Sequence, residues 1–247
     1  MFQQIRTFLS KRLHTKKYQS FEVTPDLCRN LWQCRLKNID LDPKVDPDTD
    51  FIEFQKYFKD PNTSVATFWD KEGKLQGFYG MNIVKMNHGK KPFVRVWFEY
   101  TFMNTEFRRR PELNISSGIE AFKTIVTNFG IPIVGVSVAY PNVFIKMKQN
   151  HPNIVTLKSE KLLPMHEHVL KGLITDYFQE YYDQENKIVK MRTLPHEVKV
   201  KGKKMQENLD EYTKLNPKWK EGYALPILFE GNLKVLLWYI KRRLSFK

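Results

Sequence analysis

The chain has 247 residues, 41% of them apolar and 14% aromatic, which suffices for a packed core and excludes a disordered chain. Its 41 lysines and arginines against 27 aspartates and glutamates give a net charge of +14, so the expected partner is acidic: a phosphorylated cofactor, a nucleic acid, an acidic carrier protein or an anionic membrane. Cys28 and Cys34 have no second pair, which argues against a zinc site or disulfide framework and for a reducing, cytoplasmic setting; no apolar run is long enough to span a membrane, and the N-terminus lacks the apolar centre of a secretory signal.

Residues 1–20 hold Arg6, Lys11, Arg12, Lys16 and Lys17 and no acid. Phe2, Ile5, Leu9 and Leu13 share one helical face, with Phe8 beside them, which predicts a basic amphipathic helix. Such a helix lies either on an anionic membrane surface or on the body of the fold; a transit peptide has a similar composition. Phe21–Thr24 reads as a short strand. Pro25-Asp26 opens a helix to about Asn38 with Leu27, Leu31 and Cys34 as its buried stripe. The stretch Leu41–Asp50 is rich in Asp and Pro and reads as a solvated loop, since its aspartates lack the glycine and terminal glutamate of a calcium-binding EF-hand loop. A second helix is expected over Asp50–Lys59.

Ser64–Met86 has the pattern of a β-hairpin around the turn Asp70-Lys-Glu-Gly73, and Asn87-His-Gly89 is a second turn. The stretch Phe93–Tyr140 organises the rest. It reads as strand (Phe93–Asn104), basic turn (Arg108, Arg109, Arg110), helix (about Glu112–Phe129) and strand (Ile131–Tyr140), a parallel β-α-β unit with a crossover of the required length. In its helix Ile115, Ile119, Phe122 and Val126 repeat at helical spacing and are expected to face the sheet. The three arginines stand at the carboxyl end of a strand and feed a helix start, a place that collects anions. An active site is expected there, where the parallel strands part. Pro141-Asn142 opens a further short helix, and Asn153–Ser159 reads as a strand. After Glu160 the pattern loosens: Lys171–Tyr182 and Gln206–Leu215 read as helices and His196–Lys204 as an exposed strand or basic loop. Asn232–Lys247 reads as a second basic amphipathic helix, with Leu233, Leu236, Leu237, Ile240 and Leu244 on one face.

The order β-α-α-β-β-β-α-β-α-β over about residues 20–159 resembles the GCN5-related N-acetyltransferase superfamily. Four stretches carry the likeness: Phe21–Asp26, the hairpin Phe68–Gly77, Glu106–Val126, and Val136–Lys148. The resemblance covers a little over half of the chain. It implies an α/β (α+β) fold with a mixed, largely antiparallel sheet flanked by helices. The layout it gives is a basic amphipathic helix over 1–20, an acyltransferase-like domain over 21–159, and a C-terminal extension over 160–247. The family's turn carries glycines where this chain has Pro111 and Leu113. Glycine lets the backbone approach a pyrophosphate, so here Arg108, Arg109 and Arg110 would contact phosphate through side chains or meet an acidic acyl carrier protein.

What the resemblance implies chemically is an acyltransferase. An amine or hydroxyl acceptor, lipid-like if the basic termini sit on a membrane, attacks an acyl thioester directly, without a metal. The thioester is acyl-CoA or an acyl carrier protein, used as a co-substrate with nothing bound permanently. The implied base is a carboxylate on or near the strand that holds Glu99; strand alternation puts Arg95, Trp97 and Glu99 on one face, so Glu99 is either the base or the ion-pair partner of Arg95 or of a neighbouring strand. Tyr140 is placed to protonate a leaving thiolate, or simply ends its strand. Asn142 binds the pantetheine arm or caps its helix. His166 and His168, two apart, do not share a helix face and give no metal site. Two other readings stay open: a non-catalytic binding module that kept the fold, and, ranked last, a single-stranded nucleic-acid binder using Lys218-Trp219-Lys220.

Overall fold

The computed structural model describes residues 13–108, 112–151 and 153–231. These fall into two units. The first comprises the described residues of Met1–Ile39, Pro43–Ile83 and Phe98–Thr124, the second those of Asp40–Asp42, Val84–Trp97 and Ile125–Lys247. In chain order the strands are β1 (His14–Gln19), β2 (Asp40–Leu41), β3 (Thr63–Trp69), β4 (Leu75–His88), β5 (Lys91–Met103), β6 (Ile133–Ala139), β7 (Ile154–Thr156), β8 (Tyr182–Asp183), β9 (Ile188–Lys190), β10 (Thr193–Leu194) and β11 (Tyr223–Gly231). The helices are α1 (Pro25–Leu36), α2 (Pro47–Lys59), α3 (Glu112–Thr127), α4 (Pro141–Asn150), α5 (Pro164–Tyr177) and α6 (Lys203–Leu215). The expected class, α/β (α+β) with a mixed, largely antiparallel sheet flanked by helices, is what these elements build.

Caps place the first unit's two helices. Thr24 accepts the Leu27 N–H (3.2 Å) and Asp46 the Thr49 N–H (2.8 Å), and a proline occupies the first turn after each. Both devices remove orphan donors from a helix start. For this reason α2 starts at Pro47 rather than Asp50. The aromatic core behind it joins Phe54, Tyr57 and Phe58 of α2 to Phe78 and Tyr100. Gly80 sits under the Tyr57 ring, where a Cβ would come within 2.6 Å of the ring carbon. Asp50 is not solvated: it is fully buried and holds Arg35 through two bonds (2.5 and 3.1 Å) while accepting from Trp32 Nε1 (2.8 Å).

The unit's strands run in the order β1-β3-β4-β5. Residues 14–19 are strand, not part of an amphipathic helix: β1 pairs with β3 from His14–Trp69 to Gln19–Ser64. Leu13 continues the apolar stripe of the preceding residues but is itself buried, and past it only Tyr18 is apolar, so nothing sustains a helical face. Lys16 and Lys17 mark an edge strand, where charge blocks further pairing. The expected strand at Phe21–Thr24 is instead a 3-10 turn over Ser20–Glu22. Residues 1–12 and 232–247, which hold most of the two expected basic helices, lie outside the described residues.

Helix α3 corrects another expectation. Ile115, Ile119, Phe122 and Val126 are between 46% and 58% exposed and Phe129 is 85% exposed. The inward side is polar: Ser116 Oγ meets Tyr79 OH (3.0 Å), Glu112 Oε1 accepts the Leu13 N–H (3.3 Å), and Lys17 pairs with Glu120. Periodicity located the helix and the width of its stripe but not which side faces the sheet.

In the second unit β6 is the hub. It runs parallel to β5, pairing Val94–Ile133 through Trp97–Val136, and antiparallel to β11, pairing Ala139–Leu225 through Ile133–Gly231. Strand β11 also pairs with β7 and β9. Ala224, Leu225, Ile227 and Leu228 are fully buried, and each of the three larger aliphatic side chains contributes about 1.5–3 kcal/mol. Phe229 lies across Gly135 on the neighbouring strand, where a Cβ would be 2.2 Å from the ring. Helices α4 and α6 meet at Phe144 and Tyr212 (ring centroids 5.2 Å apart), and Tyr212 donates to Ala139 O (2.8 Å). Among the described residues no helix is long and apolar enough to cross a membrane.

His151, just after α4, lies against Phe229 (centroids 4.4 Å apart) with Nδ1 buried and, among the described residues, without a hydrogen-bond partner. Burial lowers its pKa to about 4 from the ordinary 6.5. Between those values the unfolded chain binds more protons than the folded one, so stability falls as pH drops from 6.5 towards 4. Urea midpoints of the wild type should therefore fall between pH 7 and pH 5 by more than those of His151→Phe; equal falls would contradict the assignment.

Candidate functional site

The parallel ladder of the second unit ends at Trp97–Val136, and β6 then continues to Ala139 against β11. Beyond its carboxyl end the chain enters α4 with Tyr140 as N-cap and Pro141 in the first turn. No side chain caps this helix, so the alternative of Asn142 as a cap does not hold; Asn142 sits exposed in the first turn. A ligand of a parallel pair is expected at this carboxyl edge.

Tyr140 does more than end the strand. Its hydroxyl donates to Thr193 O, stands 3.3 Å from Gly222 O, and faces Thr193 Oγ1 at 3.5 Å. Burial is the main cause that raises its pKa to about 12, and Asp42 adds to it, while the Thr193 hydrogen bond opposes. The phenol is thus protonated at neutral pH with its proton engaged by main-chain carbonyls of the extension. Around it, Lys190 Nζ donates to Asp42 Oδ2 (3.1 Å) and Glu221 O (2.5 Å), and β10 pairs with β2. Tyr140 fastens residues 190–194 and 219–222 to the carboxyl end of β6. Tyr140→Phe removes the donor from part-buried acceptors and is expected to cost about 1 kcal/mol, read as a lower urea midpoint at unchanged slope. An unshifted midpoint would show that the hydroxyl carries no such load.

The face of β5 that carries Arg95 and Trp97 is covered by α5 and the residue after it. Arg95, buried, donates to Asp176 Oδ2 (2.8 Å), and the Trp97 ring lies 4.1 Å from that of Tyr177 and 5.8 Å from that of Phe178. The carboxylate seen on Arg95 is therefore that of Asp176. The side chain of Glu99 lies outside the described residues, and its backbone continues β5.

The basic turn belongs to the first unit. Arg109 and Arg110 lie outside the described residues. Arg108 donates from Nε to Met103 O (3.1 Å) and from Nη2 to Asn38 Oδ1 (3.1 Å). Asn38 also donates to Asn104 Oδ1 (3.1 Å), Asn104 to Gln76 Oε1 (2.8 Å), and Gln76 to Asp70 Oδ2 (2.6 Å). This chain of amides fixes the end of β5 to α1 and β4 and sets where the turn begins. Nothing in the spacing of Asn38, Gln76 and Asn104 announced it, because the partners are far apart in sequence. Among the described residues no group of three or more His, Cys, Asp or Glu could hold a metal.

The sequence matches no family model and no curated protein. Solved structures do resemble it. An aminoglycoside N-acetyltransferase in complex with CoA is 17% identical, over 57% of this chain and 85% of its own, with a TM-score of 0.37. An aminoglycoside acetyltransferase from an uncultured soil metagenomic sample, in complex with trehalose, is 15% identical over 52% and 78%, with 0.35. A predicted acetyltransferase from Clostridium acetobutylicum with acetyl-CoA is 10% identical over 63% and 99%, with 0.43.

Proposed function

We propose that the chain is an acyltransferase that moves an acyl group from a thioester donor to an amine or hydroxyl acceptor by direct attack. The observation that carries this is the parallel pair β5–β6, set in an otherwise antiparallel arrangement and followed at its carboxyl end by α4, in the chain order that the resemblance implies. The attacking amine forms a C–N bond to the thioester carbonyl and the C–S bond breaks. The amine's proton passes to Glu99, through water, and the thiolate takes a proton from solvent. Tyr140 is not assigned the acid's part, because its proton is already held by Thr193 O. Arg109 and Arg110 are assigned to the donor's phosphates, with Arg108 holding the turn; Asn142, exposed at the start of α4, is assigned to the pantetheine arm.

A donor on acyl carrier protein, a lipid-like acceptor and an anionic membrane surface rest on charge: the chain is +14 and both its terminal segments are basic. Release of free thiol from acetyl-CoA and long-chain acyl-CoA, with a panel of amines and alcohols as acceptors, tests the proposal on the full chain. Acceptor-dependent release supports it. If neither thioester, nor an acyl carrier protein loaded with the same chains, is turned over, the reading as a non-catalytic module replaces it.

A further inference from the structure

Acyl transfer makes no use of Lys218-Trp219-Lys220. In the second unit this stretch leads into a 3-10 turn, Trp219–Glu221, between α6 and β11. The turn is pinned at both ends. Asn216, fully buried, donates from Nδ2 to Tyr212 OH (3.2 Å) and Tyr223 O (2.9 Å), and the Gly222 N–H closes the turn on Trp219 O (3.1 Å). The half-buried Trp219 ring packs against the core cluster that holds Phe144 and Tyr212, so it is a fixed aromatic surface. Lys218 is turned to Asp183 (3.2 Å) and lies over the Tyr223 ring. The structure thus removes one lysine of the sequence motif and brings in another, Lys214 of α6. An open depression of about 560 Å³ is lined by Gln206, Leu209, Asp210, Lys214, Trp219 and Lys220, a size within the range of small-molecule sites. Gln206, Asp210 and Lys214 lie four residues apart on one face of α6.

We propose that this depression binds a nucleotide, with the base on Trp219, a ribose hydroxyl on Asp210 and the phosphate between Lys214 and Lys220. Each part has its chemical reason. A fixed indole stacks any base, because every base has a π-face. Asp210 Oδ1 already accepts from Gln206 Nε2 (2.7 Å), which orients the carboxylate and leaves Oδ2 to accept from a sugar hydroxyl, as acidic residues do in dinucleotide sites. Lys214 and Lys220 are exposed, and among the described residues neither is in an ion pair; ammonium groups placed so take phosphate oxygens. Lys220 Nζ lies 5.7 Å from the centroid of the Trp219 ring, so ring and cation reach the same ligand. A lipid headgroup would leave the ring unused, and an acidic peptide would meet the Asp210 carboxylate. The nucleotide is a free one or a unit of a single strand, since the recognising chemistry is the same.

The test titrates adenosine monophosphate, uridine monophosphate and ribose 5-phosphate into the full chain by calorimetry. A labelled single-stranded oligoadenylate of about ten nucleotides is followed by fluorescence anisotropy. Both nucleotides should saturate and bind at least about fivefold more tightly than ribose 5-phosphate, which lacks the base. Lys214→Glu/Lys220→Glu, two exposed substitutions, should weaken them at least about tenfold. Trp219→Leu should cost at least about fivefold; because Trp219 also packs on the core, the lysine variant decides if that chain does not fold. An oligoadenylate at least about tenfold tighter than the mononucleotide, with the same losses, assigns the site to a single strand; equal affinity assigns it to a free nucleotide. Saturation by none of these probes would overturn the proposal, as would ribose 5-phosphate binding as well as the nucleotides, or binding indifferent to the lysine pair. Nucleotide binding abolished by Arg109→Ala/Arg110→Ala would place the nucleotide at the turn after β5 and overturn it too.

Discussion

Asp50→Ala is expected to destabilise the chain by about 3–5 kcal/mol, the range for breaking one side of a buried ion pair. The carboxylate has no solvent exposure and receives both Arg35 Nη atoms and Trp32 Nε1. Removing it strands a guanidinium that is itself buried and lies over the rings of Phe54 and Tyr100. Asp50→Asn keeps the volume and one acceptor but loses the charge, and should fall between the wild type and Asp50→Ala. Replacing both partners, Arg35→Met with Asp50→Leu, should recover much of the loss, because no uncompensated charge remains. Urea denaturation reads all three. A loss of less than about 1 kcal/mol for Asp50→Ala, the scale of an exposed pair, would mean that the pair does not hold α1 to α2.

Glu99→Gln is expected to lower acyl-transfer turnover by about 100- to 10,000-fold, the usual contribution of a positioned general base, while leaving donor binding unchanged. Glutamine keeps the size and hydrogen bonding but cannot take a proton. Because the proposed role is proton removal from the acceptor, the loss should fall on turnover and not on donor affinity. Arg95 is paired with Asp176, and Trp97 is packed against Tyr177 and Phe178. A variant that keeps more than half of wild-type turnover would remove Glu99 from the chemistry.

Much of the architecture was legible because it is local. The hairpin turn at Asp70–Gly73, the crossover between β5 and β6, and Pro141 opening α4 all announce themselves within a few residues. Strand β11 was not legible. Its sequence Tyr-Ala-Leu-Pro-Ile-Leu-Phe contains Pro226, which cannot donate to a ladder and argues against a central strand; yet Pro226 sits opposite Val138 in the middle of the pairing. Asp50 read as a loop residue because its partner Arg35 lies in another helix. The side of α3 that faces inward is set by Tyr79, Leu13 and Lys17, none of which is near it in sequence. For the site, the chain order located the carboxyl end of β6 and the residues around it. The engagement of Tyr140 with Thr193 and of Arg108 with Asn38 depends on contacts across 53 and 70 residues, which no local pattern encodes.

The most direct test of acyl-thioester use is calorimetric titration of acetyl-CoA and a long-chain acyl-CoA into the full chain, beside Arg109→Ala/Arg110→Ala. Arg108 is left intact because it holds the end of β5. The account predicts saturable binding by the wild type and a loss of at least about tenfold in affinity for the double variant, as expected when charge-assisted phosphate contacts are removed. Absence of binding to either thioester would contradict coenzyme A as the donor, and binding that ignores the double substitution would contradict the turn after β5 as its site.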